Sequence, residues 1–412
     1  MIKFERFTLP NGLKVIFYKD ETTPMAIVNT LYDVGAKDED PNRTGFAHLF
    51  EHLMFGGSKN IPDFDEPLQR AGGHSNAFTS NDITNYYNVL PAQNIETALW
   101  LESDRMLSLA FTPKSLAVQK NVVIEEFKQR YLNQPYGDVW LAFRPLAYEK
   151  HPYKWGTIGK NIEQIETATM EEVKAFFFKH YAPQNAILSI VGNFEFDYIK
   201  DVVNKWYGDI PEREKYVRNI PEEPTQKKYK TKQIERKVPN NAFYYGFKMP
   251  GKYKPGYFAA DIISDLLGRG NSSLLFKRLK KEKELVSEIN AYVLGSHETG
   301  LLMISGYLND TISFESLDTA FWNIIDEFKN QSVTNIELQK MVNKVRTTKV
   351  FSEITALHKA MLLSSHELLG DADFINHEQK AYDLLTPNKA QKAAQKILSR
   401  ENCSRLTIKA IK

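Results

Sequence analysis

Two histidines and a glutamate stand within five consecutive residues, His48-Leu49-Phe50-Glu51-His52. On a helix, His48 and His52 are four residues apart, so both imidazoles project from one side, and Glu51 shares that side. Two neutral imidazoles at this spacing suit a tetrahedral Zn²⁺ ion. A carboxylate beside them can take a proton from a zinc-bound water, so Glu51 is the predicted general base. The alternative is a pair of ordinary histidines on a semi-buried helix.

A third zinc ligand must come from another segment, because a hydrolytic zinc site usually takes three protein ligands and a water. A later helical stretch offers two neighbouring carboxylates, Glu125 and Glu126. The helical period places Glu126 on the face of Gln119, Val122 and Val123, and we expect that face to point inward. Glu125 is turned about 100° away and faces solvent. Glu126 is therefore the predicted third ligand, and a plain surface carboxylate is the alternative.

Helical periodicity predicts the elements that carry these side chains. We predict helices over residues 44–55, 115–131 and 170–181. Gly56-Gly57 ends the first of them. Its apolar residues recur at helical spacing and lie opposite the two histidines: Phe46, Leu49, Phe50, Leu53 and Met54.

Strand-like runs predict a sheet beside these helices. Residues 4–9 and 13–18 alternate between apolar and polar, and they flank Asn11-Gly12, which is typical of a β-hairpin turn. Residues 26–34 and 186–192 are two further strand-like runs, and the second has the composition of a buried strand.

The length of 412 residues is comfortable for two domains of about 200 residues each. Between residues 209 and 241 large apolar residues become rare, and charged residues surround Pro211, Pro221 and Pro224. This composition is typical of an exposed linker. We predict a first domain over residues 1–215, a linker over 216–230 and a second domain over 231–412.

The second half of the chain shows signs of an internal repeat. Residues 46–53 can be laid on residues 259–266, and glycines follow both segments. Further along, Asn76-Ala77-Phe78 resembles Asn290-Ala291-Tyr292 in the same order. In the second copy, Asp261, Ser264 and Asp265 replace the two histidines and the glutamate. Duplication is the favoured interpretation, and coincidence between two amphipathic helices is the alternative.

Composition excludes several functional classes. The chain is 42% hydrophobic and has a formal net charge of +2, so it lacks the concentrated basic face of a nucleic-acid-binding protein. No apolar run approaches the roughly 20 residues of a membrane span. The single cysteine, Cys403, permits no internal disulfide. The N-terminus lacks the apolar core of a secretory signal, so we expect a cytoplasmic protein, or a periplasmic one if a leader has been removed.

With these residues in view, the chain resembles the pitrilysin–insulinase–mitochondrial processing peptidase family of zinc metallopeptidases, in its short-subunit branch. The H-x-x-E-H motif is the inverse of the more common zinc-protease signature H-E-x-x-H. The resemblance is carried by that motif and by further segments in both halves: Val122-Val123-Ile124-Glu125-Glu126, residues 71–80 with residues 82–87, His151-Pro152-Tyr153, and Tyr181-Ala182-Pro183-Gln184-Asn185.

The resemblance implies an α+β fold of two homologous domains, each a mostly antiparallel β-sheet packed with α-helices. Two such chains would close into a clamshell dimer that takes in unfolded peptides and cleaves them with Zn²⁺ as cofactor. The implied zinc ligands are His48, His52 and Glu126, and the implied general base is Glu51. The strand with Asn76, Ala77 and Phe78 would pair with the substrate backbone as an added strand.

The chain departs from the family pattern at three positions. Gln119 stands where members usually carry a glutamate, and a neutral amide can orient a ligand but cannot accept a proton. Lys280 and Ser287 stand where active members usually place an arginine and a tyrosine that hold the substrate. These departures favour a heterodimer whose second subunit supplies that pair, with a homodimer as the alternative. A non-catalytic assembly or scaffold subunit is the other interpretation of the chain.

Overall fold

The computed structural model describes residues 1–214 and 216–411, so residues 215 and 412, which end the two predicted domains, lie outside the described residues. The chain forms two compact units, and each is drawn from several segments. Unit 1 comprises Met1–Gln129, Trp155–Ile220 and Lys349–His377, and unit 2 comprises Arg130–Lys154, Pro221–Thr348 and Glu378–Lys412. The change from Ile220 to Pro221 falls inside the predicted linker, and the predicted domain boundaries themselves stay a prediction.

The sheet of unit 1 is mostly antiparallel and has the order β1-β2-β6-β3-β5-β4. Only β2 and β6 pair in parallel among these described neighbours. The predicted hairpin is confirmed, and Gly12 supplies its positive φ of 84°. The strands are β1 (Glu5–Thr8), β2 (Lys14–Lys19), β3 (Met25–Tyr32), β4 (His74–Thr79), β5 (Thr84–Pro91) and β6 (Ala186–Gly192).

The sheet of unit 2 has the order β7-β11-β8-β10-β9. Its strands are β7 (Lys230–Arg236), β8 (Ala242–Met249), β9 (Val286–Leu294), β10 (Gly300–Leu308) and β11 (Cys403–Ala410). Here β7 and β11 pair in parallel, and the other neighbours pair antiparallel. This arrangement matches that of unit 1 strand for strand once β1 is set aside.

The helices of the described residues include all three that periodicity predicts. In chain order they are α1 (Phe46–Leu53), α2 (Asp65–Arg70), α3 (Ile95–Leu107), α4 (Pro113–Phe127), α5 (Val139–Ala147), α6 (Ile162–Glu166), α7 (Met170–His180), α8 (Phe196–Tyr207), α9 (Tyr257–Gly268), α10 (Phe314–Asn330), α11 (Asn335–Ser352), α12 (Ala356–Leu368), α13 (Phe374–Asp383) and α14 (Pro387–Ile397). None of these helices combines the length and the apolar character that crossing a bilayer requires.

The common topology of the two sheets confirms the predicted duplication. In unit 1, α1 lies in sequence between β3 and the edge strand β4, and β5 returns to pair with both strands. In unit 2, α9 lies between β8 and the edge strand β9, and β10 returns in the same way. Two independent domains would not be expected to share this order of pairings, so the halves are homologous in fold.

Each unit also contains a helix from the other half of the sequence. Helix α12 packs on β3 and β6 of unit 1, where Leu363 shares a core with Ile16 and Ile187. Helix α5 packs on β7 and β11 of unit 2, where Phe143 shares a core with Leu406. This exchange could not be predicted from the sequence, because an amphipathic pattern shows that a helix covers a sheet but not which sheet.

Candidate metal centre

Helix α1 is fixed by its apolar side. Phe46, Leu49, Phe50 and Leu53 are all buried, as their spacing predicts. The ring of Phe50 stacks 5.0 Å from that of Phe176, a contact that joins α1 to α7. The other side of the helix carries the two histidines, of which His48 is buried and His52 is half-buried.

Three side chains from two helices converge on one point. The rings of His48 and His52 lie 4.9 Å apart at an angle of 84°. One carboxylate oxygen of Glu126, Oε2, is 3.6 Å from Nε2 of His48 and 3.4 Å from Nε2 of His52. The three ligand atoms lie within 4.8 Å of one another, and this is the one such cluster among the described residues.

The spacing of these atoms fits a zinc ion. Two ligand atoms at about 2.0–2.1 Å from a tetrahedral Zn²⁺ are separated by about 3.3 Å. The observed separations of 3.4 and 3.6 Å between the carboxylate oxygen and the imidazole nitrogens are close to this value. The donor set, two imidazoles and one carboxylate, is one that zinc takes in catalytic sites.

Helix α4 presents Glu126 and not Glu125 to this cluster. The side chain of Glu126 is 18% exposed, whereas that of Glu125 is 59% exposed and pairs with Lys128 at 2.7 Å. The expectation that Val122 points inward is wrong, since its side chain is exposed. The inward stripe of α4 is narrower than periodicity suggests, because Leu116, Val123 and Phe127 alone of its described residues are buried.

Glu51 lies beside the cluster and is not part of it. Burial raises the pKa of the Glu51 carboxyl, and the charge of Glu126 raises it as well. Thr79 and His52 act in the opposite direction and favour the charged form. Because Thr79 ends β4, this interaction places the end of the edge strand next to the carboxylate.

Strand β4 is the last strand in the sheet of unit 1, so its outer edge has no paired strand among the described residues. Asn76 and Phe78 are exposed on one face, and Ala77 between them is half-buried. Helix α1 packs against β4. The residues predicted to bind substrate and the residues predicted to bind zinc are thus carried by elements in contact.

The three residues that depart from the family pattern lie in both units of the chain. Gln119 is half-buried on α4, two helical turns before Glu126. Lys280 is half-buried in unit 2, with its ammonium 5.3 Å from the ring of Phe276. Ser287 is exposed on β9. No aromatic hydroxyl is present at position 287, so this chain lacks the tyrosine that the family pattern has there.

The second copy of the motif carries aspartates in place of the two histidines. In α9, Asp261 accepts a hydrogen bond from the hydroxyl of Tyr382 at 2.7 Å. Asp265 pairs with Arg269 at 3.3 Å and with Lys344 at 3.7 Å. These carboxylates are committed to contacts within unit 2, and no imidazole stands beside them at the matching positions, so the repeat preserves the helix without the metal ligands.

Comparison with known proteins identifies the family. A family model described as "Insulinase (Peptidase family M16)" matches residues 14–138, and one described as "Peptidase M16 inactive domain" matches residues 167–345. A Helicobacter pylori protein named zinc protease PqqE is 30% identical over 345 residues, which are 82% of this chain and 78% of that relative. The chain belongs to peptidase family M16.

Other M16 relatives agree with this placement. The Bacillus subtilis protein YmxG, named an uncharacterized zinc protease, is 25% identical over 90% of this chain and 88% of its own length. A crystal structure of a protease from Helicobacter pylori superposes with a TM-score of 0.93 at 27% identity, over 99% of this chain and 100% of that one. The α+β fold that the family resemblance implies is therefore confirmed.

Two residues beside the M16 motif were not predicted from the sequence, Thr79 and Glu39. Thr79 interacts with Glu51, and Glu39 contacts the start of α1. Thr79 could have been found from the strand pattern of residues 74–79, whose last residue ends near the site. Glu39 carries no such signal, because a carboxylate in a polar loop is usually a surface residue.

Proposed function

We propose that this M16 chain is a zinc-dependent endopeptidase that cleaves unstructured peptides. The observation that supports it most is the convergence of His48, His52 and Glu126, with Glu51 beside them and an open strand edge in contact with the same helix. A purely structural helix would have no need of two imidazoles and a carboxylate gathered on its outer side.

His48, His52 and Glu126 would hold the zinc ion. When bound, zinc would supply a Lewis acid that polarises a peptide carbonyl and lowers the pKa of water toward about 7. Glu51 would act as the general base, accepting a proton from the attacking water and then donating it to the departing amine. Its position beside the three proposed ligands, one residue before His52 and in interaction with Thr79, supports this role.

The edge of β4 would bind the substrate. An extended peptide that adds as a strand is held by hydrogen bonds to the backbone of Asn76, Ala77 and Phe78, and these bonds do not depend on its sequence. A folded protein has its own strands already paired and cannot present such a segment. The proposed specificity is therefore for unfolded peptides of varied sequence.

A second subunit would complete the site. The positions that correspond to the family's arginine and tyrosine are Lys280 and Ser287, and a lysine does not reproduce the bidentate geometry of arginine. We propose that this chain is the zinc-bearing subunit of a two-subunit enzyme, in which a partner of the same family supplies that pair. A homodimer is the alternative arrangement.

Peptide cleavage by the purified chain tests this function. A mixture of unstructured peptides is incubated with wild type, chelator-treated wild type and Glu51→Gln, and products are read by mass spectrometry. Glu125→Gln is the matched control, because it changes an exposed carboxylate next to a ligand on α4. We expect cleavage to be lost on chelation and in Glu51→Gln and kept in Glu125→Gln. Silence from zinc-loaded wild type would instead mean that the partner subunit is required, and the comparison is then made with that subunit present. Chelator-sensitive cleavage retained by Glu51→Gln would refute the role of Glu51.

A non-catalytic subunit is the second candidate function. It is favoured by Lys280 and Ser287 and by the match of residues 167–345 to a model described as an inactive domain. Zinc content separates the candidates, since a scaffold subunit has no need of a bound metal. A purified chain without stoichiometric zinc, and unable to take it up, would favour the scaffold.

A further inference from the structure

The helix that carries His48 and His52 begins without a side-chain cap of its own. Its N-cap residue is Gly45, in the left-handed region with a φ of 89°. A Cβ atom at this position would lie 2.6 Å from Cδ1 of Ile165 and 3.0 Å from the carbonyl oxygen of Ile158. The usual capping residues, serine, threonine, aspartate and asparagine, are therefore excluded at the start of α1.

Glu39 supplies the missing cap from six residues upstream. Its Oε2 accepts the N–H of Gly45 at 3.0 Å, and its Oε1 accepts the N–H of Ala47 at 2.9 Å. The indole N–H of Trp155 donates to the same Oε2 at 3.0 Å. Glu39 is only 5% exposed, so these donors replace the water it would otherwise bind.

The loop that carries Glu39 is itself held by buried charges of unit 1. Asp38, next to Glu39, accepts the N–H of Gly35 at 3.0 Å and pairs with Arg218 at 2.6 Å. Lys37, which precedes Asp38, forms a buried ion pair with Asp82 at 3.0 Å. These contacts hold the loop in place, so Glu39 has a defined position against the start of α1.

The capped turn is the one that carries a metal ligand. Helix α1 has only eight residues, and a helix of this length depends on its caps and its packing to stay ordered. Ala47, whose N–H is bound by Glu39, directly precedes His48. His52 lies a full turn further on, where the helix is held by its own hydrogen bonds and by the packing of Phe50 and Leu53.

We propose that Glu39 is a positioning residue for the metal centre: by capping α1 it fixes His48 and so sets the affinity of the site for zinc. Glu39 is not a ligand, because it is outside the cluster of ligand atoms. The inference rests on the proposed zinc site. It adds a residue outside the motif on which metal binding depends.

The ionised form of Glu39 suits this role. Burial raises the pKa of the Glu39 carboxyl to about 8, and the N–H groups of Ala47, Gly45 and Trp155 oppose the rise. Both carboxylate oxygens face N–H groups, so a proton on either of them would displace a donor. The test is therefore run at pH 8.5, on the alkaline side of this pKa, which favours the ionised form.

The experiment compares zinc affinity in the full-length chain. The dissociation constant of zinc is measured by competition with a chromophoric chelator for wild type and Glu39→Gln. The Co²⁺-loaded proteins are compared by their absorption spectra, which report the geometry of the ligands. Changes in residues that orient ligands cost about 10–100-fold in metal affinity, and we expect Glu39→Gln to weaken zinc binding in this range and to alter the Co²⁺ spectrum.

Asn11→Ala is the matched control. Asn11 is also a buried polar residue of unit 1 that bonds backbone groups: its Nδ2 donates to the carbonyls of Tyr207 at 2.8 Å and Ile210 at 2.9 Å. Its loss should destabilise the fold without touching α1, so zinc affinity should change less than about twofold. A loss of affinity in both variants would assign the effect to general destabilisation and overturn the proposal.

The remaining outcomes are also decisive. Glu39→Gln that folds and binds zinc as wild type does would overturn the inference and leave the proposed function standing. Wild type that binds neither zinc nor cobalt would refute the proposed function itself. If Glu39→Gln does not fold, Glu39→Asp takes its place, because it keeps the charge but shortens the reach. It should also weaken zinc binding, and unchanged binding would overturn the proposal.

Discussion

At the scale of single residues, the candidate metal centre depends on a distinction between two adjacent glutamates. Glu126 faces the imidazoles, and Glu125, turned toward solvent, pairs with Lys128. Helical geometry alone favoured this assignment, because residues one apart are separated by about 100° around the axis. The sequence could not show how closely α4 approaches α1, and that distance decides whether Glu126 reaches the cluster.

Substitution of the third ligand should abolish tight zinc binding. We expect Glu126→Gln to lower zinc affinity by about 100-fold or more, because a neutral amide replaces the only anionic ligand. Glu125→Gln should bind zinc as wild type does. Both can be measured by competition with a chromophoric chelator, and equal affinities for the two variants would contradict the assignment of Glu126.

At the scale of elements, a buried ion pair lies in α3, which packs on β3 and β5 of unit 1. Within α3, Glu102 and Arg105 form a fully buried ion pair. Glu102 also accepts a hydrogen bond from Thr30 at 3.0 Å, and the guanidinium of Arg105 lies 4.5 Å from the centre of the Tyr86 ring. Removal of one charge leaves the other buried without its counter-ion.

Glu102→Gln should therefore be strongly destabilising. We expect the free energy of unfolding to fall by about 3–5 kcal/mol, the range for breaking a buried ion pair. Glu96 on the same helix pairs with Lys205 where both side chains are exposed, so Glu96→Gln should cost no more than about 1 kcal/mol. Denaturant titration of both variants tests the contrast, and equal losses would contradict it.

Helix α7 contains a histidine that should make stability depend on pH. His180 is buried against the rings of Phe176 and Tyr216. Burial lowers the pKa of His180 to about 3, and the charges of Lys179 and Arg218 contribute to this. The unfolded chain binds a proton near pH 6.5 that the folded chain does not bind. The stability from neutral His180 is therefore present above pH 6.5 and is lost as pH falls toward 3.

Replacement of His180 should reduce the loss of the free energy of unfolding at acid pH. Between pH 6.5 and 5, wild type should lose up to about 2 kcal/mol through His180, and His180→Phe should not show that loss. Denaturant titrations of both proteins at pH 7 and pH 5 measure the difference. Equal losses of stability in wild type and His180→Phe would show that the pH dependence does not come from His180.

At the scale of the whole molecule, the duplicated fold carries one candidate metal centre among its described residues. The second copy retains the strand order and α9, but Asp261 and Asp265 bind Tyr382, Arg269 and Lys344 in place of a metal. In the proposed two-subunit enzyme, this chain would bind zinc and a partner would supply the arginine and the tyrosine. Whether the chain needs such a partner can be tested by introducing the missing arginine and tyrosine.

Restoring both residues should make the chain less dependent on a partner. We expect Lys280→Arg with Ser287→Tyr to raise peptide cleavage by the purified chain at least about 10-fold, because a donor to the reacting carbonyl contributes strongly to turnover. Lys280→Gln with Ser287→Phe is the matched control and should give no gain. Peptide turnover is measured alongside the oligomeric state, and equal rates for the two double variants would contradict the partner model.

Much of the fold could be predicted from local pattern. The hairpin at Asn11-Gly12, the helix around His48 and the buried strand β6 were predicted because their signals lie within a few residues of one another. The inward placement of Val122 was predicted wrongly, because the period shows the side of a helix that is apolar but not how much of it a neighbour covers.

The sequence by itself determined the chemistry: two imidazoles four residues apart, a carboxylate beside them and a second carboxylate on another helix. Such spacing depends only on the rise and turn of a helix. Only the tertiary structure decided that Glu126 meets both histidines, that α5 and α12 cover sheets of the opposite halves, and that Glu39 caps α1. Glu126 and the two covering helices are far in sequence from the residues they contact, and the loop that carries Glu39 has no periodic pattern. Such contacts form only when the whole chain packs, so local sequence patterns do not reveal them.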